Sequence, residues 1–154
     1  MPNLLPILHE PHPTLRQRAK KIDLGKWNRQ ELQVLAEDME FTMKKAPGVG
    51  LAAPQIGKSI RLIIVEHSPV PLALINPRII KHSLRRDTLE EGCLSVPGKY
   101  GLIKRYKRVY VKAQTLDGKP FEIEAKGFLA QIFQHEIDHL NGTLYIDKAI
   151  KFLP

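Results

Sequence analysis

The sequence predicts an α+β fold in which antiparallel β-sheets pack around one central helix. Val109, Val111 and Ala113 alternate with polar neighbours, Asp117-Gly118 turns the chain, and Phe121, Ile123 and Ala125 resume the alternation. That is the pattern of a β-hairpin with one buried face. A helical run carrying Phe128, Leu129, Ile132, Phe133, Ile137 and Leu140 follows the hairpin at once, and Asn141-Gly142 supplies its stop. A helix that directly follows antiparallel strands is laid against them.

The remaining elements follow from local chemistry. Asn28 can cap a helix, with Glu31 completing a capping box, and Leu32, Leu35, Ala36, Met39 and Met43 mark an apolar stripe that ends before Pro47. Ile60 to Glu66 and Leu72 to Ile75 read as buried strands. No repeat, low-complexity tract or linker divides the chain. With 154 residues and 43% apolar content, one catalytic domain over 1–154 with one core is expected.

Composition bounds the setting. A single cysteine excludes an internal disulfide framework and fits a reducing compartment. Met1 to Pro6 lacks the basic start and apolar run of a signal peptide, and no segment reaches membrane-spanning length. The expectation is the bacterial cytoplasm, with an organellar matrix as the alternative, and no membrane partner. The net charge of +8 can steer a protein toward acidic surfaces. Its densest run, Lys104, Arg105, Lys107 and Arg108, has no nucleic-acid motif beside it, so it reads as a solvated face and not as a DNA or RNA site.

The stretch His135-Glu136-Ile137-Asp138-His139 carries the most chemistry. Two imidazoles four positions apart share one helical face and can chelate one divalent ion, and Glu136 can reach a water at the open position. Two histidines do not fill a tetrahedral site. The one cysteine, Cys93, offers a thiolate for zinc or ferrous iron, with an inert buried thiol as the bland alternative. The segment Gly48 to Gln55 is built of small residues between Pro47 and Pro54, so its backbone can approach a substrate closely. Alone it also fits an ordinary glycine-rich loop, and it lacks the phosphate-cradling patterns.

In order and spacing, Gly48–Gln55, Glu91–Ser95 and His135–His139 resemble the three motifs of the peptide deformylase family, and the likeness runs to about Asp147. The resemblance implies removal of the formyl group from the formyl-methionine of nascent polypeptides, releasing formate. It implies one ferrous ion that zinc, nickel or cobalt can replace, held by Cys93, His135 and His139. Glu136 would act as base and proton shuttle. The Gln55 amide and the Leu94 backbone N–H would stabilise the oxyanion. Val49, Gly50 and Gly92 would pair with the extended substrate, and Val49, Leu89, Phe128 and Ile132 would surround the methionine side chain.

Gln131 and Tyr100 depart from the aliphatic residue and the arginine that family members often carry there. Arg105 and Glu91 match positions that pair with each other, and Asp138 is either a buttress of the site or a solvated acid. Meeting substrate at the ribosome makes weak attraction to rRNA an expectation, although the chain ends without the long C-terminal helix of many relatives. A metallopeptidase lacks its downstream third ligand here. An inactive metal-binding relative has no need of both Glu136 and Gln55, and a basic RNA-binding module leaves all three motifs unexplained.

Overall fold

The computed structural model describes residues Met1–Pro154. Asn28 caps α1 (Arg29–Lys45) by accepting from the N–H groups of Gln30 and Glu31 at 2.9 and 3.2 Å. The expected capping box is therefore only half formed: Glu31 is exposed and makes no return bond, since Asn28 alone satisfies two of the orphan donors. The apolar stripe is buried at Leu32, Ala36, Met39 and Met43.

Five antiparallel strands follow in one sheet: β1 (Gly50–Ala52), β2 (Leu62–Val65), β3 (Leu72–His82) and, later in the chain, the hairpin partners. Between them β4 (Arg86–Cys93) and β5 (Val96–Tyr106) form a long hairpin of a second sheet. The predicted hairpin is β6 (Arg108–Gln114) with β7 (Pro120–Lys126), which sets Val109, Val111 and Ala113 opposite Ala125, Ile123 and Phe121. The helix α2 (Gly127–Leu140) comes next, and β8 (Lys151–Phe152) closes the second sheet on β5. The orders are β1-β2-β3-β6-β7 and β4-β5-β8, which leaves β1 and β4 as edges.

All four residues of β2 are buried, and the sheet is covered on both faces. Ile63, Val65, Leu74, Val109 and Val111 meet Phe133, Ile137 and Leu140 of α2 on one side. Leu62, Ile64 and Ile75 meet Leu32, Met39 and Met43 of α1 on the other. Two buried faces explain why this strand reads as an unbroken apolar run. A smaller cluster of Val96, Ile103, Leu144 and Tyr145 lies under the second sheet.

The end of α2 is fixed from outside the helix. Buried Arg61 donates to the Leu140 carbonyl at 2.9 Å and to the Asn141 side-chain oxygen at 2.9 Å, covering acceptors that the last turn leaves free. Gly142 follows at φ +77°, where a Cβ would stand 2.5 Å from the Arg16 carbonyl oxygen. The basic run departs from its expected role at one position. Lys104, Lys107 and Arg108 are exposed, but Arg105 is only 3% exposed, because its guanidinium is paired with Glu91 and Asp138 under α2. No helix is long and apolar enough to cross a membrane.

Candidate active site

Three segments converge on one point. His135 and His139 project from successive turns of α2, and Cys93 reaches them from the last position of β4, just before the turn into β5. The Cys93 sulfur lies 3.3 Å from His139 Nε2, which is 3.2 Å from His135 Nε2, and the three ligand atoms fall within 4.8 Å of one another. Zinc–nitrogen bonds of roughly 2.0–2.1 Å in a tetrahedron put ligand nitrogens about 3.3 Å apart. The donor set and its spacing therefore fit one divalent cation.

The charges around this cluster are ordered by a buried network. Glu91 Oε1 accepts from His135 Nδ1 at 2.7 Å and from Arg105 Nη2 at 2.8 Å, while Oε2 accepts from Arg105 Nε at 2.8 Å and from Gln131 Nε2 at 3.3 Å. Arg105 also donates to Asp138 at 2.7 Å, and Lys148 reaches the same carboxylate. Burial alone would raise the Glu91 pKa, but the bonds from Arg105 and His135 outweigh it and hold the carboxyl down at about 2. Glu91 is thus an anion that fixes the His135 ring and leaves Nε2 directed at the cluster. Arg105 feels the converse: burial disfavours its charge, and Glu91 more than restores it.

Burial also works against a charged imidazole at both histidines. At His135 the Cys93 sulfur and the carboxylates of Glu136 and Glu91 overcome it and raise the proton affinity. At His139 burial, His135 and Arg105 together lower it. The proton drawn to His135 answers the same negative charge that a metal cation would answer.

Glu136 stands beside the cluster, its Oε2 4.0 Å from His135 Nε2. It is 3% exposed, its Oε1 has no partner, and burial raises its pKa to about 7. A carboxyl poised there can both take and return a proton near neutral pH. Gly50 packs directly on it, since a Cβ at that position would come 2.5 Å from Oε2.

Gln55 is oriented by its neighbours. Its Oε1 accepts from the Ala52 N–H at 2.9 Å, which turns Nε2 toward Ser95 Oγ at 3.1 Å and the Cys93 sulfur at 3.7 Å. The Leu94 N–H makes no hydrogen bond within the chain. The Gly48–Gln55 segment, which alone also fits a glycine-rich loop, runs into strand β1 and then a tight helical turn over Ala53–Ile56, with residues 50–55 buried.

A cavity of about 630 Å³ opens onto this cluster. Val49, Gly50, Gly92, Phe128 and Ile132 line it, together with Gln131 and Tyr100. Phe128 stands at the rim, 62% exposed. Leu89 does not line it; it sits on β4 opposite Ile103, two residues before Glu91 and roughly 7 Å farther from the end of the strand that carries Cys93. Ile7 and His9 also face the cavity, drawn in where the Leu8 and Glu10 N–H groups bond the Gln55 and Ser95 carbonyls. Nothing local in the sequence marks that arm. Ser95, by contrast, closes a motif already singled out, and its hydroxyl contact with Gln55 is the role that sequence reading missed.

Comparison with known proteins agrees with this arrangement. The family model described as polypeptide deformylase matches residues 4–153. The peptide deformylase of Dictyoglomus thermophilum is 47% identical over 139 residues, covering 90% of this chain and 88% of that protein. That of Symbiobacterium thermophilum is 48% identical, covering 98% and 69%. The crystal structure of the Thermotoga maritima peptide deformylase superposes with a TM-score of 0.91 at 41% identity, covering 96% of this chain and 98% of that one. A Met-Ala-Ser-bound deformylase from Acinetobacter baumannii superposes with a TM-score of 0.91 at 37% identity, covering 96% and 99%. A match of this extent, over a cluster of sulfur and imidazole donors with a buried carboxyl beside it, places the chain in the polypeptide deformylase family.

Proposed function

We propose that this chain, as one catalytic domain, removes the N-terminal formyl group from formyl-methionyl nascent polypeptides as a metal-dependent peptide deformylase. The observation that carries the reading is the Cys93, His135 and His139 cluster with the partnerless Glu136 carboxyl beside it. The test is direct. Protein loaded anaerobically with ferrous iron should release formate from formyl-Met-Ala-Ser and leave an acetylated control intact. Absence of formate from stoichiometrically loaded protein overturns the proposal.

Cys93, His135 and His139 would hold the ion, which when bound supplies Lewis acidity and lowers the pKa of water. Ferrous iron is our assignment within the family, with zinc, nickel or cobalt able to replace it. Glu136 takes the proton from the attacking water and passes it to the departing amine as the bond to the formyl carbon breaks. As the formyl oxygen gains charge it accepts from the Gln55 Nε2 amide and the Leu94 N–H. The buried setting of Gln55 raises the worth of that bond.

Substrate placement follows from two sheet edges. β1 and β4 are both terminal strands, and Val49, Gly50 and Gly92 on or beside them line the cavity, so an extended peptide can add as a strand between them. The first side chain would then enter between Val49, Phe128, Ile132 and Gln131. The Acinetobacter baumannii relative is described with Met-Ala-Ser bound, which suits this mode. The exposed cations Lys104, Lys107 and Arg108 would give weak, salt-sensitive attraction to ribosomal RNA, in a bacterial cytoplasmic setting.

A further inference from the structure

Gln131 stands one helical turn before His135 on α2, 8% exposed, and lines the cavity. Its Nε2 donates to the Glu90 carbonyl oxygen at 3.0 Å and to Glu91 Oε2 at 3.3 Å. Both neighbours act as acceptors: the Glu90 carbonyl has no proton to give, and the Glu91 oxygens already accept from His135 Nδ1 and from Arg105 Nη2 and Nε. A reversed amide would set its oxygen against a carbonyl and a carboxylate. The orientation is therefore dictated, and Oε1 is turned away from β4. That oxygen has no partner in the chain, yet it is not among the polar atoms sealed from solvent. Gln131 is otherwise enclosed, so its open side is the cavity.

We propose that Gln131 Oε1 is a fixed hydrogen-bond acceptor in the pocket for the first substrate side chain, extending acceptance to side chains of methionine's length that end in an N–H donor, glutamine foremost. The inference rests on the deformylase reading above. An all-apolar wall would strand such a donor without a partner, whereas this wall supplies one. Methionine needs no partner and packs on Val49, Phe128 and Ile132. A glutamate side chain of the same size brings acceptors toward an acceptor and is excluded.

The test compares kcat/KM for formyl-Met-Ala-Ser, formyl-Gln-Ala-Ser and formyl-Glu-Ala-Ser, read as formate. In the unmodified enzyme the glutamine substrate should lie within about ten-fold of methionine and at least about ten-fold above glutamate. Gln131→Leu, and the near-isosteric Gln131→Met should leucine disturb the helix, should lower the glutamine-to-methionine ratio at least about ten-fold. Equal rates for glutamine and glutamate overturn the proposal, as does a ratio that both variants leave within about two-fold of wild type. In either case turnover of the methionine substrate leaves the deformylase assignment standing. No formate from any of the three substrates overturns both.

Discussion

The Nδ1 of His135 lies 2.7 Å from Glu91 Oε1, a bond that ties helix α2 to strand β4 through a side chain that is itself locked by Arg105. The pair sets both the direction of the His135 ring and part of the fold's stability. Its acid dependence has a definite sign. The Glu91 pKa is depressed in the folded chain, about 2 against an ordinary 4.5, so its contribution is complete above pH 4.5 and is lost as the pH falls toward 2.

Glu91→Gln should therefore cost on the order of 3–5 kcal/mol at pH 7, because it leaves Arg105 buried with only Asp138 as counter-charge. The difference from wild type should shrink as the pH is lowered from 5 to 3. Urea midpoints of metal-stripped protein at both ends of that range check it. A cost that stays constant with pH would mean that the carboxylate charge is not its source.

Gln55→Ala removes an amide whose Nε2 is aimed by the Ala52 N–H bond to its other end. The loss should fall on kcat, by roughly 10²-fold or more, about 3 kcal/mol, as for other oxyanion donors. Steady-state kinetics on formyl-Met-Ala-Ser separate the parameters. A rise in KM alone would make Gln55 a residue that binds ground state and transition state alike.

Glu136→Ala should separate metal content from rate. One ion per chain is expected, retained by Glu136→Ala and lost on dialysis from Cys93→Ala, His135→Ala or His139→Ala, because only the last three supply ligand atoms to the cluster. The rate of Glu136→Ala should fall by about 10²–10⁴-fold, the usual worth of a positioned proton carrier. Elemental analysis beside formate release reads both. Stoichiometric metal in Cys93→Ala would remove the sulfur from the ligand set.

What the sequence made legible is what repeats at short range. The β6–β7 hairpin, the α1 stripe and the α2 histidine pair all announce themselves by period, cap or spacing, and the family resemblance linked Cys93 to the histidines across the chain. The β4–β5 hairpin did not. Its Thr88 to Gly92 stretch mixes charge, glycine and a single leucine, since Glu91 points inward to Arg105 and breaks the apolar alternation that marks a strand. Arg61 was hidden for a related reason: a buried guanidinium looks like a surface one until its acceptors, here at the end of α2, are in place, and the Arg105 pairing with Glu91 was legible only through the family resemblance. Gln131 raised a question of packing that only its neighbours could answer.

Gly50→Ala probes how closely the substrate-edge strand is built against the base. An added Cβ would stand 2.5 Å from Glu136 Oε2, 2.8 Å from its Cδ and 2.9 Å from its Cγ. Neither side can yield freely: Gly50 is paired with Val65 in the sheet, and the Glu136 side chain is enclosed. The variant should lose about 1–3 kcal/mol of stability, as overpacked sites do, and turnover should drop with it as the carboxylate is pushed off its position. The two effects share one cause, so they should be coupled. In a Glu136→Ala background the obstructing atoms are gone, and Gly50→Ala should then cost little. Denaturant midpoints of the two single variants and the double variant complete the cycle. Strict additivity would place the strain of Gly50→Ala elsewhere, in the backbone of β1, and would break the proposed link between that edge and the position of the base.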